Sequence, residues 1–147
     1  MESSLHYKLR STHIQCHKAI TRQILESTDL FPGEPKILEY LAEHEPCRQK
    51  DIASGCDLDK ASVTGILTRM EKRGFITRSR SEENRRCVFV SMTELGHQKQ
   101  DLVEEIFREV DRRAVDGLSA SQIFQLSDLL DQVRENLSSL EVRDEKN

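Results

Sequence analysis

No stretch of this 147-residue sequence approaches the ~18 consecutive apolar residues of a membrane span. A transmembrane helix is therefore not expected. The N-terminal residues MESSLHYKLRST lack the apolar core of an export signal. The expectation is a cytoplasmic protein without a membrane partner. Tryptophan is absent and aromatic residues are 5% of the chain. The four cysteines, Cys16, Cys47, Cys56 and Cys87, show no paired CxxC spacing. In a reducing compartment they are expected as thiols. Glycine is scarce, and no phosphate loop, Ser/His/Asp order or metal-ligand set stands out. Neither an enzyme nor a resident cofactor or metal is expected.

Apolar residues are 36% and charged residues 33%, a composition that folds. The length suits one domain, residues 1–147, with a proper core. The net charge of −4 is unevenly spread. Between Lys60 and Arg86 stand eight Lys/Arg and three Glu, a local charge of +5. From Thr93 onward, thirteen Asp/Glu outnumber seven Lys/Arg. A basic island in an acidic chain calls for an acidic partner, and a double-stranded nucleic-acid backbone fits best.

The island has its own logic. Asp59 can cap a helix whose Val63, Ile66, Leu67 and Met70 form one apolar stripe. Small polar residues lie off that stripe near the N-terminus, and cations follow. Such a surface can sit deep in a major groove. Gly74 supplies the stop. Strands are expected over 75–80 and 86–92, the second alternating Val88, Val90, Met92 with Cys87, Phe89, Ser91. The turn between them, Ser81 to Arg85, carries a tip of Arg85 and Arg86 that can reach phosphates or a narrow minor groove.

Around the island the chain reads as helices. The first runs from Ser3 to about Thr28, with Leu5, Leu9, Cys16, Ile20 and Ile24 on one side. Pro32 and Gly33 break it. Pro35 then opens a helix to His44 that turns Ile37, Leu38, Leu41 and Ala42 inward. A short helix over 48–54 and the turn Gly55-Cys56-Asp57 lead into the basic helix, giving a helix-turn-helix. A long amphipathic helix follows from Leu95, broken at Gly117. Ser119 and Gln122 have capping-box spacing. In the last helix Ile123, Leu126, Leu130, Val133, Leu137 and Leu140 alternate at three and four, an a/d seam that needs a partner. That partner is the first helix of the same chain or a second copy. The tail beyond Val142 is charged and expected to fray.

Helix, turn, helix and an Arg-tipped hairpin, in the wording LDKASVTGILTRMEKRGFI and ENRRCVFVSMTELG, resemble the MarR family of winged helix-turn-helix transcription regulators. Met70-Glu71-Lys72-Arg73-Gly74-Phe75-Ile76 matches the family phrase Leu-Glu-x-x-Gly-[Leu/Tyr]-[Ile/Val]. Asn84-Arg85-Arg86 and Met92-Thr93-Glu94-Leu95-Gly96 match the wing phrases, with Asn84 where Asp is usual. Gly65 replaces an often longer, basic residue, and Thr68 an often acidic one.

The resemblance implies a mostly α fold with a small β-hairpin wing. Residues 34–92 would be the winged DNA-binding region, and 1–28 with 94–142 the dimerisation helices. Ser62, Thr64 and Arg69 would face the major groove or its phosphates, and Lys60 the backbone. Arg86 with Arg85 would enter the minor groove, supported by Arg78 and Arg80. Leu5, Leu9, Ile123, Leu126, Leu130, Val133 and Leu137 would line a homodimer interface. The implied function is a repressor of palindromic operators, released by a small phenolic or organic-anion effector or by an oxidant.

His13, Cys16 and His17 share one helix face as H-x-x-C-H. They can be metal ligands, a thiol sensor of the kind some relatives carry, or plain interface residues. A winged module for protein contact would instead need an apolar or acidic outer face, against which stand Lys60, Arg69, Lys72 and Arg73.

Overall fold

The structure of the chain, a computed structural model, describes residues 3–144, with side chains to residue 141. Its elements are α1 (Leu5–Ser27), α2 (Glu34–His44), β1 (Cys47–Arg48), α3 (Gln49–Gly55), α4 (Lys60–Lys72), β2 (Ile76–Arg80), β3 (Val88–Met92), α5 (Glu94–Ala114) and α6 (Ala120–Asp144). The chain forms two compact units divided after Val110. No helix among the described residues is long and apolar enough to cross a membrane.

The first unit holds the core. Ile37, Leu38 and Leu41 of α2, Ile52 of α3, Val63, Leu67 and Met70 of α4, Ile76, Val90 and Val103 are all essentially inaccessible to water. Each such side chain contributes roughly 1.5–3 kcal/mol relative to exposure. Ala42 is exposed, against expectation. The inward stripe of α2 starts one turn earlier, at Glu34, so it runs Glu34, Ile37, Leu38, Leu41.

Glu34 has no side-chain exposure. Its Oε1 accepts from Arg73 Nη1 at 2.6 Å and from the Phe31 N–H at 2.6 Å. The Arg73 guanidinium lies 4.6 Å from the centroids of both Phe31 and Phe75. It also donates to the Asp29 carbonyl, and Asp29 pairs with Lys99 of α5 at 2.8 Å. Arg73 is thus turned inward onto Glu34, with its side chain 24% exposed, and its expected place on an outer basic face is corrected.

α4 begins and ends for visible reasons. Asp59 accepts from the Ser62 N–H at 2.8 Å and the Ser62 hydroxyl at 2.6 Å. These bonds hold the Asp59 carboxyl below its ordinary range, the hydroxyl contributing most. At the other end Gly74 takes φ +80°. The Phe75 N–H then reaches the Met70 carbonyl and the Gly74 N–H the Glu71 carbonyl, which is a Schellman closure. In the preceding turn the glycine has a steric role. A Cβ at Gly55 would lie 2.1 Å from the Tyr40 ring, while Asp57 supplies the positive φ of 52°.

The sheet has the order β1-β3-β2. β2 and β3 pair antiparallel from Ile76↔Met92 to Arg80↔Val88. β1, absent from the sequence reading, pairs Cys47 with Val90 and Arg48 with Phe89. Its two residues are too short for any periodicity to show. β3 starts two residues later than expected. Asn84 Oδ1 accepts from the Arg86 N–H at 3.1 Å and its carbonyl from the Cys87 N–H at 2.9 Å. Those bonds keep Arg86 and Cys87 in the loop.

The phrase Met92 to Gly96 joins wing to α5. The Thr93 hydroxyl donates to the Gly74 carbonyl at 2.6 Å and accepts from the Gly96 N–H at 3.0 Å. In the second unit, Ser119 and Gln122 exchange the reciprocal capping bonds expected of them. Helix α6 continues to Asp144, and the charged tail's side chains from 142 onward lie outside the described residues.

The buried pair sets the first test. Arg73→Ala leaves Glu34 without its counter-charge in the core and is expected to cost about 3–5 kcal/mol. Urea denaturation measures this. A cost within ~0.5 kcal/mol, the range of ordinary surface substitutions, would show that the pair does not hold the unit together.

Candidate nucleic-acid interface

The N-terminal half of α4 and the β2–β3 loop face each other across a cleft that carries Lys60 and Arg86. Lys60, Ser62, Thr64 and Arg69 are all exposed on α4, as are Arg85 and Arg86 in the loop. Of these six expected residues the structure brings Lys60, Thr64 and Arg86 together around one cleft, while Ser62 and Arg69 lie on the other flank of the exposed face of α4 and Arg85 stands next to Arg86 in the loop. The cleft has a volume of about 300 Å³. Lys60 and Thr64 line it from α4, Arg86 from the loop, Arg48 from the end of β1, and Gln49 and Lys50 from the start of α3.

The last three were not anticipated. They stand ten or more residues before the basic island in sequence, and only the packing of α3 on α4 brings them in. A clue was available in the run Arg48-Gln49-Lys50 at the head of the first helix of a helix-turn-helix. Arg48 is partly neutralised by Asp51 at 3.1 Å.

The cations differ in what they are free to do. Lys60, Arg69, Arg85 and Arg86 form no side-chain ion pair with the described residues, so their charge is available. Arg78 is committed. Its Nη2 donates to Glu71 Oε1 at 3.1 Å and to the Thr68 hydroxyl at 3.3 Å, and its backbone N–H donates to Glu71 Oε2 at 3.1 Å. Arg78 ties wing to α4. Thr68, where the family often has an acid, serves as one of its acceptors. Arg80 Nη1 donates to the Arg85 carbonyl at 2.9 Å and so shapes the wing loop.

The small polar residues are also engaged. The Ser62 hydroxyl completes the cap on Asp59. The Thr64 hydroxyl donates to the Lys60 carbonyl at 2.9 Å and accepts from Gln49 Nε2 at 3.1 Å. A Cβ at Gly65 would meet only Arg69 Nη1, at 3.7 Å, and its φ is not left-handed. Nothing in the isolated chain demands glycine there, although an interior helix glycine costs about 1 kcal/mol relative to alanine.

The expected interface residues are accessible in the single chain. Leu5, Ile123, Leu126, Leu130 and Leu137 are exposed, while Leu9 and Val133 are half-buried. Cys16 is an exposed thiol, and the His13 and His17 rings stack with centroids 6.2 Å apart. Among the described residues no group of three or more His, Cys, Asp or Glu is placed to hold a metal ion, so the metal-ligand reading of H-x-x-C-H gains no support. Cys47 and Cys56 are buried, and burial pushes both thiols up from their ordinary pKa.

Residues 32–88 match the model of the MarR family. The chain is 32% identical over 133 residues to the HTH-type transcriptional regulator FarR of Neisseria gonorrhoeae, covering 86% of this chain and 89% of that one. Its fold is shared with the transcriptional repressor CouR bound to a 23-mer DNA duplex, at TM-score 0.79 and 19% identity over 90% of this chain and 94% of that one. It is shared too with BpsR of Bordetella bronchiseptica, from work on the regulation of its DNA binding by 6-hydroxynicotinic acid, at TM-score 0.77 and 19% identity over 91% and 95%.

The Glu71–Arg78 bond makes a titration prediction. Its guanidinium partner holds the Glu71 carboxyl below the ordinary glutamate range. A depressed folded-state pKa means stabilisation present above the ordinary range and lost as pH falls through the folded value. Arg78→Ala should therefore raise the Glu71 midpoint toward the ordinary range in a carboxyl-carbon NMR titration. An unchanged midpoint would remove Arg78 as the wing's anchor.

Proposed function

The chain belongs to the MarR family of winged helix-turn-helix transcription regulators, and from that premise we propose that it is a dimeric, sequence-specific repressor of palindromic operators. The observation that carries this reading is the division among the cations. Arg78 and Arg73 are spent on internal partners, whereas Lys60, Arg69, Arg85 and Arg86 stand unpaired beside the outer face of α4. Unpaired charge at one surface of an acidic protein is an electrostatic footprint for phosphates.

In this reading residues 34–92 bind the duplex. Helix α4 enters the major groove. Lys60 meets the backbone, and Ser62, Thr64 and Arg69 face base edges or phosphates. Arg86 and Arg85 reach the minor groove, with Arg80 shaping their loop and Arg78 setting the angle between wing and helix.

Residues 1–28 and 94–142 supply the dimer contacts. None of the described residues of α6 is buried, and Leu126, Leu129, Leu130, Leu137 and Leu140 are all more than 40% exposed. An apolar seam of that length exposed on one helix calls for a covering surface. A second copy joined through Leu5, Leu9 and the seam from Ile123 to Leu137 supplies it. Two-fold symmetry would set two α4 helices about 34 Å apart along the duplex, one turn of DNA. Joining two weak sites also raises affinity through effective concentration.

Release is assigned to a small organic acid or phenol. The fold neighbour whose DNA binding is regulated by 6-hydroxynicotinic acid supports that chemistry. The second reading, release by an oxidant, attaches to Cys16, the one cysteine described as exposed. An acidic or apolar contact surface for another protein is disfavoured by the free cations.

Two variants test the assignment. Arg86→Ala should weaken binding to the chain's own promoter DNA by roughly 1–3 kcal/mol while leaving the melting temperature unchanged. Equal affinity at matched salt would take the wing out of the interface. Leu130→Glu should convert the dimer to a monomer in sedimentation velocity, and a variant that still sediments as a dimer would exclude the α6 seam.

A further inference from the structure

We propose that Gln49, on α3 and outside the helix that enters the groove, is a specificity-determining residue that reads an A·T pair in each half-site. The inference rests on the DNA-binding function just proposed and deepens it.

The starting point is what Thr64 can no longer do. Its hydroxyl has one proton, and that proton goes to the Lys60 carbonyl at 2.9 Å. Thr64 therefore has no donor for a base. It keeps a methyl group and a spare lone pair. The commitment also orients Gln49. With the Thr64 proton used elsewhere, the 3.1 Å contact requires the amide to donate, so Nε2 faces Thr64 and Oε1 faces away.

The remaining N–H and the carbonyl oxygen of Gln49 have no protein partner among the described interactions. They form a donor and an acceptor on one rigid plane. That pair complements adenine, which shows the N7 acceptor and the N6 amino donor in the major groove. The Thr64 methyl beside it suits a neighbouring thymine methyl. The position is right for this role. Gln49 lines the cleft between helix and wing loop with Lys50, Lys60 and Arg86, whose charges can grip the flanking phosphates. The hydrogen bond to Thr64 fixes the side chain before DNA arrives, so little rotamer freedom is lost on binding.

The experiment selects binding sites from a randomised duplex pool, using the full chain as wild type, Gln49→Ala, Thr64→Val and Thr64→Ser. Affinities for the selected and a random duplex are then measured across salt. Wild type should return a dyad-symmetric motif with a required A·T pair in each half. Gln49→Ala should lose discrimination at that pair by roughly tenfold or more, with random-duplex affinity and salt slope unchanged. Thr64→Val, which lacks the hydroxyl that orients Gln49, should lose part of the discrimination at that pair, and Thr64→Ser, which keeps the hydroxyl, should retain it there while losing the preference for a neighbouring thymine. The proposal is overturned if Gln49→Ala selects the same motif with equal stringency. It is also overturned if that variant weakens all sequences alike and its salt slope falls by about 1, the mark of a lost phosphate contact. A wild-type chain that selects no motif would remove the regulator reading itself, a different failure from the retained motif.

Discussion

A carboxylate buried at the head of α2 constrains the DNA-binding unit. Glu34 cannot remain charged in the core without compensation. Arg73 provides it from the C-terminal end of α4, at 2.6 Å. The guanidinium is in turn held between Phe31 and Phe75 and shares Asp29 with Lys99 of α5. One desolvated charge thus ties together the α1–α2 loop, the end of α4, the start of the wing and α5. Because an ion pair tolerates little displacement in a low-dielectric setting, α4 is held in position through Arg73, the residue that caps its C-terminal end. The opposite end of α4 can then present Lys60 and Thr64 from a rigid base.

The same economy explains the surface. A DNA-binding face needs cations without partners, yet a wing of two short strands needs anchoring. The chain divides these duties. Arg78 is spent on Glu71 and Thr68, and Arg80 on a loop carbonyl. Arg85 and Arg86 remain free at the loop that those bonds shape. Replacing the usual wing aspartate by Asn84 removes a charge from the tip. The turn survives because Asn84 accepts from the Arg86 N–H and the Cys87 N–H through its side-chain and main-chain oxygens. The tip is left more positive than an acid there would allow.

Function and folding make different demands on the outer face of α4. Ser62 and Thr64 sit where they can meet a groove, but their hydroxyls close local bonds in the free chain. Gly65 lowers helix stability with no steric need in the isolated protein.

Much of this was legible in the linear chain. The stripe Val63, Ile66, Leu67, Met70, the Asp59 cap and the Gly74 stop are local features, set by 3.6-residue periodicity and by the few backbone conformations that each residue accepts. The alternation across Val88 to Met92 and the capping box at Ser119 are equally local. So was the basic island that carries most of the site. What only the tertiary structure decided are pairings between residues far apart in sequence. Glu34 and Arg73 are 39 residues apart, and no periodicity foretells that a carboxylate will head a buried stripe. The two-residue β1 exists because β3 offers it an edge. Gln49 reaches Thr64 across 15 residues. Likewise, a run of arginines does not say which will be spent internally: Arg78 and Arg86 look alike in sequence, and only the nearness of Glu71 separates an anchor from a free charge.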